Sequence, residues 1–422
     1  MPRPPAAELA RGVEVTPSRV VAGGDALARD RDGKVMLVEG ALPGERVRAQ
    51  VLAEHRSWSQ AVVVDVLEPS DARREPPCRY VAAGCGGCTW QHIEPAAQRL
   101  LKRQIVADAL RRQGRLRDLA DDDPRLIDGP VLDVTGHRTT VRAAVVGKRP
   151  GFRRPASHEV LPVDACLVAH PAMADLFDAR YPGVDEVTFR VGARTGERLV
   201  LAAPSAAGLD LPGDVVVVGA DELAEGRRAW FHEEAAGRRW RISAASFFQT
   251  RPDGADALVA AVAAAVERWA PAASTLVDLC AGVGLFAGGL ATALPDRPWR
   301  VIAVEQHAPA VSDARHNLAD LDVRVVRAAI DQWHPAPADI VVADPPRTGL
   351  GRRAVQAVAG TGAALVVLVS CDPASLGRDT ALLGQAGYQH QQTELIELFP
   401  QTWHVEAVSS FTAPRGRGAA AS

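Results

Sequence analysis

The 422-residue chain contains no run of 18 or more apolar residues, which excludes an ordinary membrane-spanning helix. Its start, Met1-Pro2-Arg3-Pro4-Pro5, lacks the apolar stretch of a secretory signal, so a cytoplasmic protein is expected. Net charge is nearly absent: −3 overall gives no global footprint of a nucleic-acid binder. Cysteine is scarce, yet three of the six crowd into Cys78, Cys85 and Cys88. In a reducing compartment such clustering favours metal or cluster ligation over disulfides.

The composition that is present, 47% apolar and 23% charged, describes a globular chain too long for one core, with roughly two to four domains expected. A local basic segment, Lys102, Arg103, Arg111, Arg112, Arg115 and Arg117, offers a surface that the overall charge conceals.

Residues 11–70 read as short strands, Arg19-Val20-Val21, Lys34 to Val38, Arg46 to Val51 and Ala61 to Val66, separated by Gly23-Gly24, Asp32-Gly33 and Pro43-Gly44. That pattern predicts a small, OB-like β-barrel. Residues 71–240 hold the cysteines, a helix over Pro95 to Gln113 with Leu100, Leu101, Ile105, Val106 and Leu110 at helical spacing, and strand-like segments from Thr139 onward. They predict a central α+β region with an antiparallel sheet. Residues 241–413 alternate helix and buried strand (Thr275 to Leu279, Val301 to Val304, Asp339 to Ala343, Ala364 to Val369), as in a doubly wound, Rossmann-like domain. Residues 414–422 are expected to be a disordered tail.

Chemistry concentrates at the ends of those buried strands. Leu276-Val277-Asp278-Leu279 opens into Cys280-Ala281-Gly282-Val283-Gly284, and Glu305 ends the next strand. Glycines let backbone approach a ligand, and a strand-terminal carboxylate takes ribose hydroxyls. The loop alone suits either NAD or S-adenosylmethionine. Two features tip the choice to S-adenosylmethionine: the Asp278 carboxylate suits a cationic amino-acid moiety better than a pyrophosphate, and Asp344, on the stiff turn Asp344-Pro345-Pro346-Arg347, offers a place to hold a substrate base or the methyl donor. Arg347 is not the aromatic that would stack on a base methylated at an exocyclic amine.

The run Ala364 to Val369 drives into Ser370-Cys371-Asp372-Pro373, which places Cys371 at the rim of the crevice. Methylating C5 of uracil requires a thiol that adds at C6 and a base that then removes the C5 proton. Cysteine is suited to the first role, the more so in an electropositive site. Thr402, His404 and Glu406 alternate with Trp403 and Val405, so on a strand they share one face. Cys78, Cys85 and Cys88, with Cys166, supply four thiolates that suit zinc or an iron–sulfur cluster; ligand count does not separate the two.

In these motifs the chain resembles the bacterial RNA 5-methyluridine methyltransferases, class I S-adenosylmethionine enzymes acting on transfer or ribosomal RNA. Cys85 to His92, Ser246-Phe247-Phe248-Gln249, Ser370 to Pro373 and Phe399 to Glu406 carry the likeness. The resemblance implies a TRAM-type RNA-binding barrel over 11–70. It implies a [4Fe-4S] cluster, rather than zinc, on Cys78, Cys85, Cys88 and Cys166. It implies donor binding by Gln249, Asp278, Cys280, Gly282, Glu305 and Asp344, with Cys371 as nucleophile and Glu406 as base. Cys280 stands where that family has an aromatic residue. An RNA substrate with an unpaired or flipped-out uridine, no membrane partner and a monomeric state are further expectations.

Overall fold

In the computed structural model, residues 12–414 are described, so all but the first residue of the expected tail lies outside the described residues. The chain divides into two compact units. One comprises residues up to 109 with 152–161 and 399–404, and the other 110–151, 162–398 and the chain from 405 on.

The first unit holds a six-stranded sheet built from Val13–Val15, Arg19–Val20, Ala26–Arg29, Val35–Glu39, Arg46–Glu54 and Trp58–Glu68. In spatial order these are the first, fifth, sixth, fourth, third and second strands. Period-two alternation turns Ala26, Ala28, Met36, Val38, Val47, Ala49 and Ala61 into one buried cluster. Gly23, Gly33 and Gly44 have positive φ, as the predicted turns require. Val13–Val15 and Ala26–Arg29 escape the sequence pattern because one is short and the other is half alanine. The predicted helix forms as Pro95–Arg112, burying Leu101, Ile105, Val106 and Leu110.

The second unit holds two sheets and a hairpin. An antiparallel set, with Thr140–Val146, Glu186–Val191 and Arg198–Ala203 at its centre, takes Val215–Gly219 in parallel at one edge. The hairpin pairs Trp230–Ala235 with Arg238–Ser243.

The eight-stranded sheet positions the chemistry. Its order is Val323–Arg327, Arg300–Glu305, Thr275–Leu279, Ile340–Ala343, Leu365–Ser370, Ala407–Thr412, Gln389–Leu395 and Leu126–Asp128. The first five strands run parallel, and Ala407–Thr412 runs antiparallel to both neighbours. Every residue of Leu365–Ser370 is buried, as expected of a β-branched run covered on both faces. Strand order reverses beside Thr275–Leu279, which opens a crevice at the carboxyl ends of that strand and of Ile340–Ala343. Leu126–Asp128, in the segment expected to be central, is an edge strand of this sheet, parallel to Gln389–Leu395. Among the described residues no helix is long and apolar enough to cross a membrane.

Leu368 is fully buried in the central strand, whereas Val216 is 41% exposed. Leu368→Ala should cost about 2–5 kcal/mol, and Val216→Ala should stay within about 0.5 kcal/mol. Chemical denaturation of the two variants checks this; equal midpoints would contradict the assigned core.

Candidate active site

The donor-type turn begins where Thr275–Leu279 ends. Cys280 takes a left-handed backbone, φ 59°, and Gly282 and Gly284 follow at 57° and 100°, a sequence of turns that glycine makes cheaply and cysteine does not. A Cβ on Gly282 would meet nothing within 4 Å, so the turn borders open space. Glu305, at the end of the neighbouring strand, grips this turn: its Oε2 accepts from Gly282 N at 2.9 Å and its Oε1 from His307 N at 2.7 Å. Asp278 is fully buried. Its Oδ2 accepts from Ala287 N at 3.0 Å, and its Oδ1 has no partner among the described residues. Burial, with Asp344 and Glu305 nearby, pushes its carboxyl up to about 8.

A second cluster forms at the ends of Ile340–Ala343 and Leu365–Ser370. Asp344, half-buried, accepts from Gln249 Nε2 at 3.2 Å, and burial pushes it up to about 7. Cys371 leaves its strand one residue before Asp372, whose carboxylate caps the helix Pro373–Gln385 by accepting from Ser375 N at 2.7 Å. Glu406 is buried, 4% exposed, and its Oε1 has no partner among the described residues. Burial and the Asp344 charge raise its carboxyl well above the ordinary range.

One sequence expectation needs correction. Residues 399–406 form no strand; Glu406 lies one residue before Ala407–Thr412. That strand is interior, so Glu406 is not a solvated edge residue, and its burial follows from this placement. The surroundings of Cys371 favour the neutral thiol. Burial, then Glu406 and Asp344, push its thiol up to about 12, with Arg347 and a backbone hydrogen bond opposing. Cys280, beside Glu305, Asp344 and Asp278, is likewise pushed up to about 12 by burial and those charges.

Cys78, Cys85, Cys88 and Cys166 are each half-buried, but among the described residues no group of three or more His, Cys, Asp or Glu side chains is placed to hold a metal ion. The expected [4Fe-4S] or zinc ligation by these cysteines is therefore without support among the described residues. Lys102, first of the expected basic surface residues, is also buried and donates to Phe399 O at 2.8 Å.

Sequence patterns missed what holds Gln249. Asp313, fully buried on the helix Ala308–Asn317, accepts from Ser243 N, Ser243 Oγ, Ser246 Oγ and Arg241 Nε at 2.7–3.0 Å. From the other side buried Arg190 donates to the carbonyls of Ser243, Ala244 and Ser246. Asn317 Nδ2 donates to Arg241 O and to Val283 O, both at 3.0 Å, which ties this turn to the glycine turn. The only sequence signal is spacing: Asp313 and Asn317 are i, i+4 on a helix and share a face. Phe247, in a motif from which only Gln249 was given a role, is 63% exposed.

No family model matches the chain, but close relatives exist. It is 37% identical to an uncharacterized RNA methyltransferase of Streptomyces coelicolor over 94% of this chain and 91% of that one. It is 31% identical to the 23S rRNA (uracil(1939)-C(5))-methyltransferase of Halomonas elongata over 96% of this chain and 91% of that one. The crystal structure of the Pyrococcus abyssi tRNA (uracil-54, C5)-methyltransferase in complex with S-adenosyl-L-homocysteine superposes with a TM-score of 0.72 at 20% identity, covering 94% of this chain and all of that one. At that identity the superposition shows a shared fold.

The buried carboxyls give a pH signature. Asp278 ionises near its ordinary 3.8 when unfolded and near 8 when folded, so within that window the folded chain binds the extra proton. Stability then falls as pH rises through it. The melting temperature of the ligand-free protein should decline from about pH 5 to about pH 8, and Asp278→Asn should flatten the decline. Differential scanning fluorimetry reads both; identical slopes would show that Asp278 ionises freely.

Proposed function

The chain belongs to the RNA 5-methyluridine methyltransferase family, and from that membership we propose that it methylates C5 of a uridine in ribosomal or transfer RNA through an adduct between Cys371 Sγ and C6. The observation that carries this reading is the gathering of Cys371, Glu406, Asp344 and Gln249 at strand ends beside the glycine turn. A methyl donor of the S-adenosylmethionine type supplies an electrophilic methyl on a sulfonium. The residues present fit it: Glu305 suits ribose hydroxyls, Gly282 borders open space, and the unsatisfied Asp278 Oδ1 awaits a donor or a positive charge.

Each residue then has a task. Gln249 and Asp344, hydrogen-bonded to each other, hold the reacting groups in place. The Cys371 proton passes to the Asp344 carboxylate, which leaves Glu406 free to act as base. The thiolate adds to C6, and the electron pair moves to C5, which takes the methyl. Glu406 removes the C5 proton; C5=C6 re-forms and the C6–S bond breaks, returning the thiolate. Its raised affinity for a proton suits that step, since a stronger base abstracts from carbon more readily. The exposed ring of Phe247, two residues from Gln249, gives an extruded uracil an apolar face. The N-terminal sheet serves in this reading as the RNA-binding barrel and residues 241–413 as the methyltransferase domain. Arg112, Arg115 and Arg117 are exposed and in this reading lie on the phosphate-facing surface.

Cys371→Ala should reduce 5-methyluridine formation on the order of 10⁴-fold or more, measured with RNA from a deletion strain and mass-spectrometric mapping of the modified uridine. Retention of the wild-type rate would refute the covalent route. Glu406→Gln should instead transfer the methyl and stall, leaving an RNA–protein adduct on a denaturing gel without any fluorinated substrate. An adduct-free Glu406→Gln enzyme that releases methylated RNA would assign the base elsewhere.

A further inference from the structure

We propose that Trp230 is a stacking platform for a nucleobase of the RNA strand flanking the target uridine. The proposal rests on the RNA reading above and adds a subsite to it. Six large apolar residues are exposed among those described: Leu100, Val131, Val146, Val216, Trp230 and Phe247. Only two are aromatic, and one turn joins them. Trp230 pairs with Ser243 across the hairpin, Ala244 N donates to Ala229 O at 2.8 Å, and Ser246 N donates to Ser243 O at 2.9 Å. Phe247 follows directly. Four residues span at most about 14 Å even when extended, and the turn shortens that path. Trp230 therefore lies within a few nucleotides of the base that the crevice must take.

The ring is held rather than left over. Arg241 places its guanidinium 5.5 Å from the Trp230 ring centre. That guanidinium is itself fixed, by Asp313 Oδ1 at 3.0 Å, Ser312 O at 2.8 Å and Ser312 Oγ at 3.3 Å. A cation locked against an aromatic ring orients the ring and immobilises it before any ligand arrives. The indole remains 41% exposed, so a large flat surface faces water at the cost of leaving apolar area wet. Two residues away Arg228 is exposed and makes no hydrogen bond or ion pair among the described residues. A pre-set aromatic face beside an available cation is what a single-stranded nucleic acid requires: the ring stacks on a base of any sequence, and the cation meets the adjoining phosphate. A protein partner would want a wider apolar patch, whereas Trp230 lies against Arg241 and two residues from the exposed Arg228.

The test uses the full-length protein with an oligouridylate of about 10 nucleotides, and Trp230→Ala beside Trp230→Phe. Trp230→Ala should raise the KM for RNA about 5- to 150-fold with the S-adenosylmethionine dissociation constant unchanged, and Trp230→Phe should restore most of the loss. Replacing the flanking nucleotides one at a time by abasic residues should, at one position, remove the difference between wild type and Trp230→Ala. An unaltered KM, a defect that persists at every abasic position, or a change of oligomeric state in Trp230→Ala would each overturn the platform. A wild-type protein that transfers no methyl to RNA would instead refute the activity. Quenching of Trp230 fluorescence by the oligonucleotide, taken as wild type minus Trp230→Phe, then still decides: quenching supports the platform and its absence overturns it.

Discussion

The catalytic end of the eight-stranded sheet depends on carboxylates buried with too few hydrogen-bond donors. Asp278 has one backbone N–H and an orphan oxygen, and Glu406 also leaves an oxygen without a partner among the described residues. An ionised carboxylate in such a place is costly, so the group keeps its proton and waits. The result is a crevice that is nearly neutral when empty yet able to release negative charge toward a cation. A sulfonium donor with its ammonium group is such a cation, and its arrival would repay the burial cost that folding incurs. Discrimination follows as well: a pyrophosphate-bearing nucleotide offered to the same oxygens would add repulsion rather than relieve it.

The same carboxylates keep Cys371, the proposed nucleophile, protonated. The helix Pro373–Gln385 presents its positive N-terminal end near Cys371, which favours a thiolate. Burial and the two acids oppose it, and they prevail, because the thiol is pushed up to about 12. A neutral thiol resists oxidation and stray alkylation. In the proposed reaction, activation is thereby tied to compensating positive charge, which the sulfonium donor brings together with the methyl.

Where residues near in sequence decide an element, the fold was legible. Thr275–Leu279 is the strand that the pattern predicts, and Leu365–Ser370 shifts by one residue. Leu126–Asp128 was not legible, since three residues carry no period and their partner lies more than 260 positions away. A motif likeness points to Glu406, but the residues before it form no strand, and its burial comes from the interior strand Ala407–Thr412 that it precedes. The charge around Cys371 was hidden for a similar reason. Asp344 and Glu406 reach it from two other strand ends, and no linear spacing reveals that convergence. Lys102 shows the converse, a residue whose charge suggested surface and whose buried bond to Phe399 O removes it from any RNA face.

One buried carboxylate links the two ends of this argument. Asp313 receives four hydrogen bonds from the segment 241–246, so it sets both the turn that delivers Gln249 to Asp344 and the guanidinium that steadies Trp230. Asn317, one helical turn on, fixes Val283 O in the glycine turn. Hydrogen bonds of this kind are worth little singly in net stability, yet losing one partner strands the others in the interior. The helix Ala308–Asn317 therefore acts as a post to which donor turn, Gln249 and the outer aromatic are all tied. It begins three residues after Glu305, the acid that grips the same glycine turn, which means that one strand and its following helix set the spacing of the whole crevice. A change anywhere along that post would move substrate-facing groups together rather than one at a time.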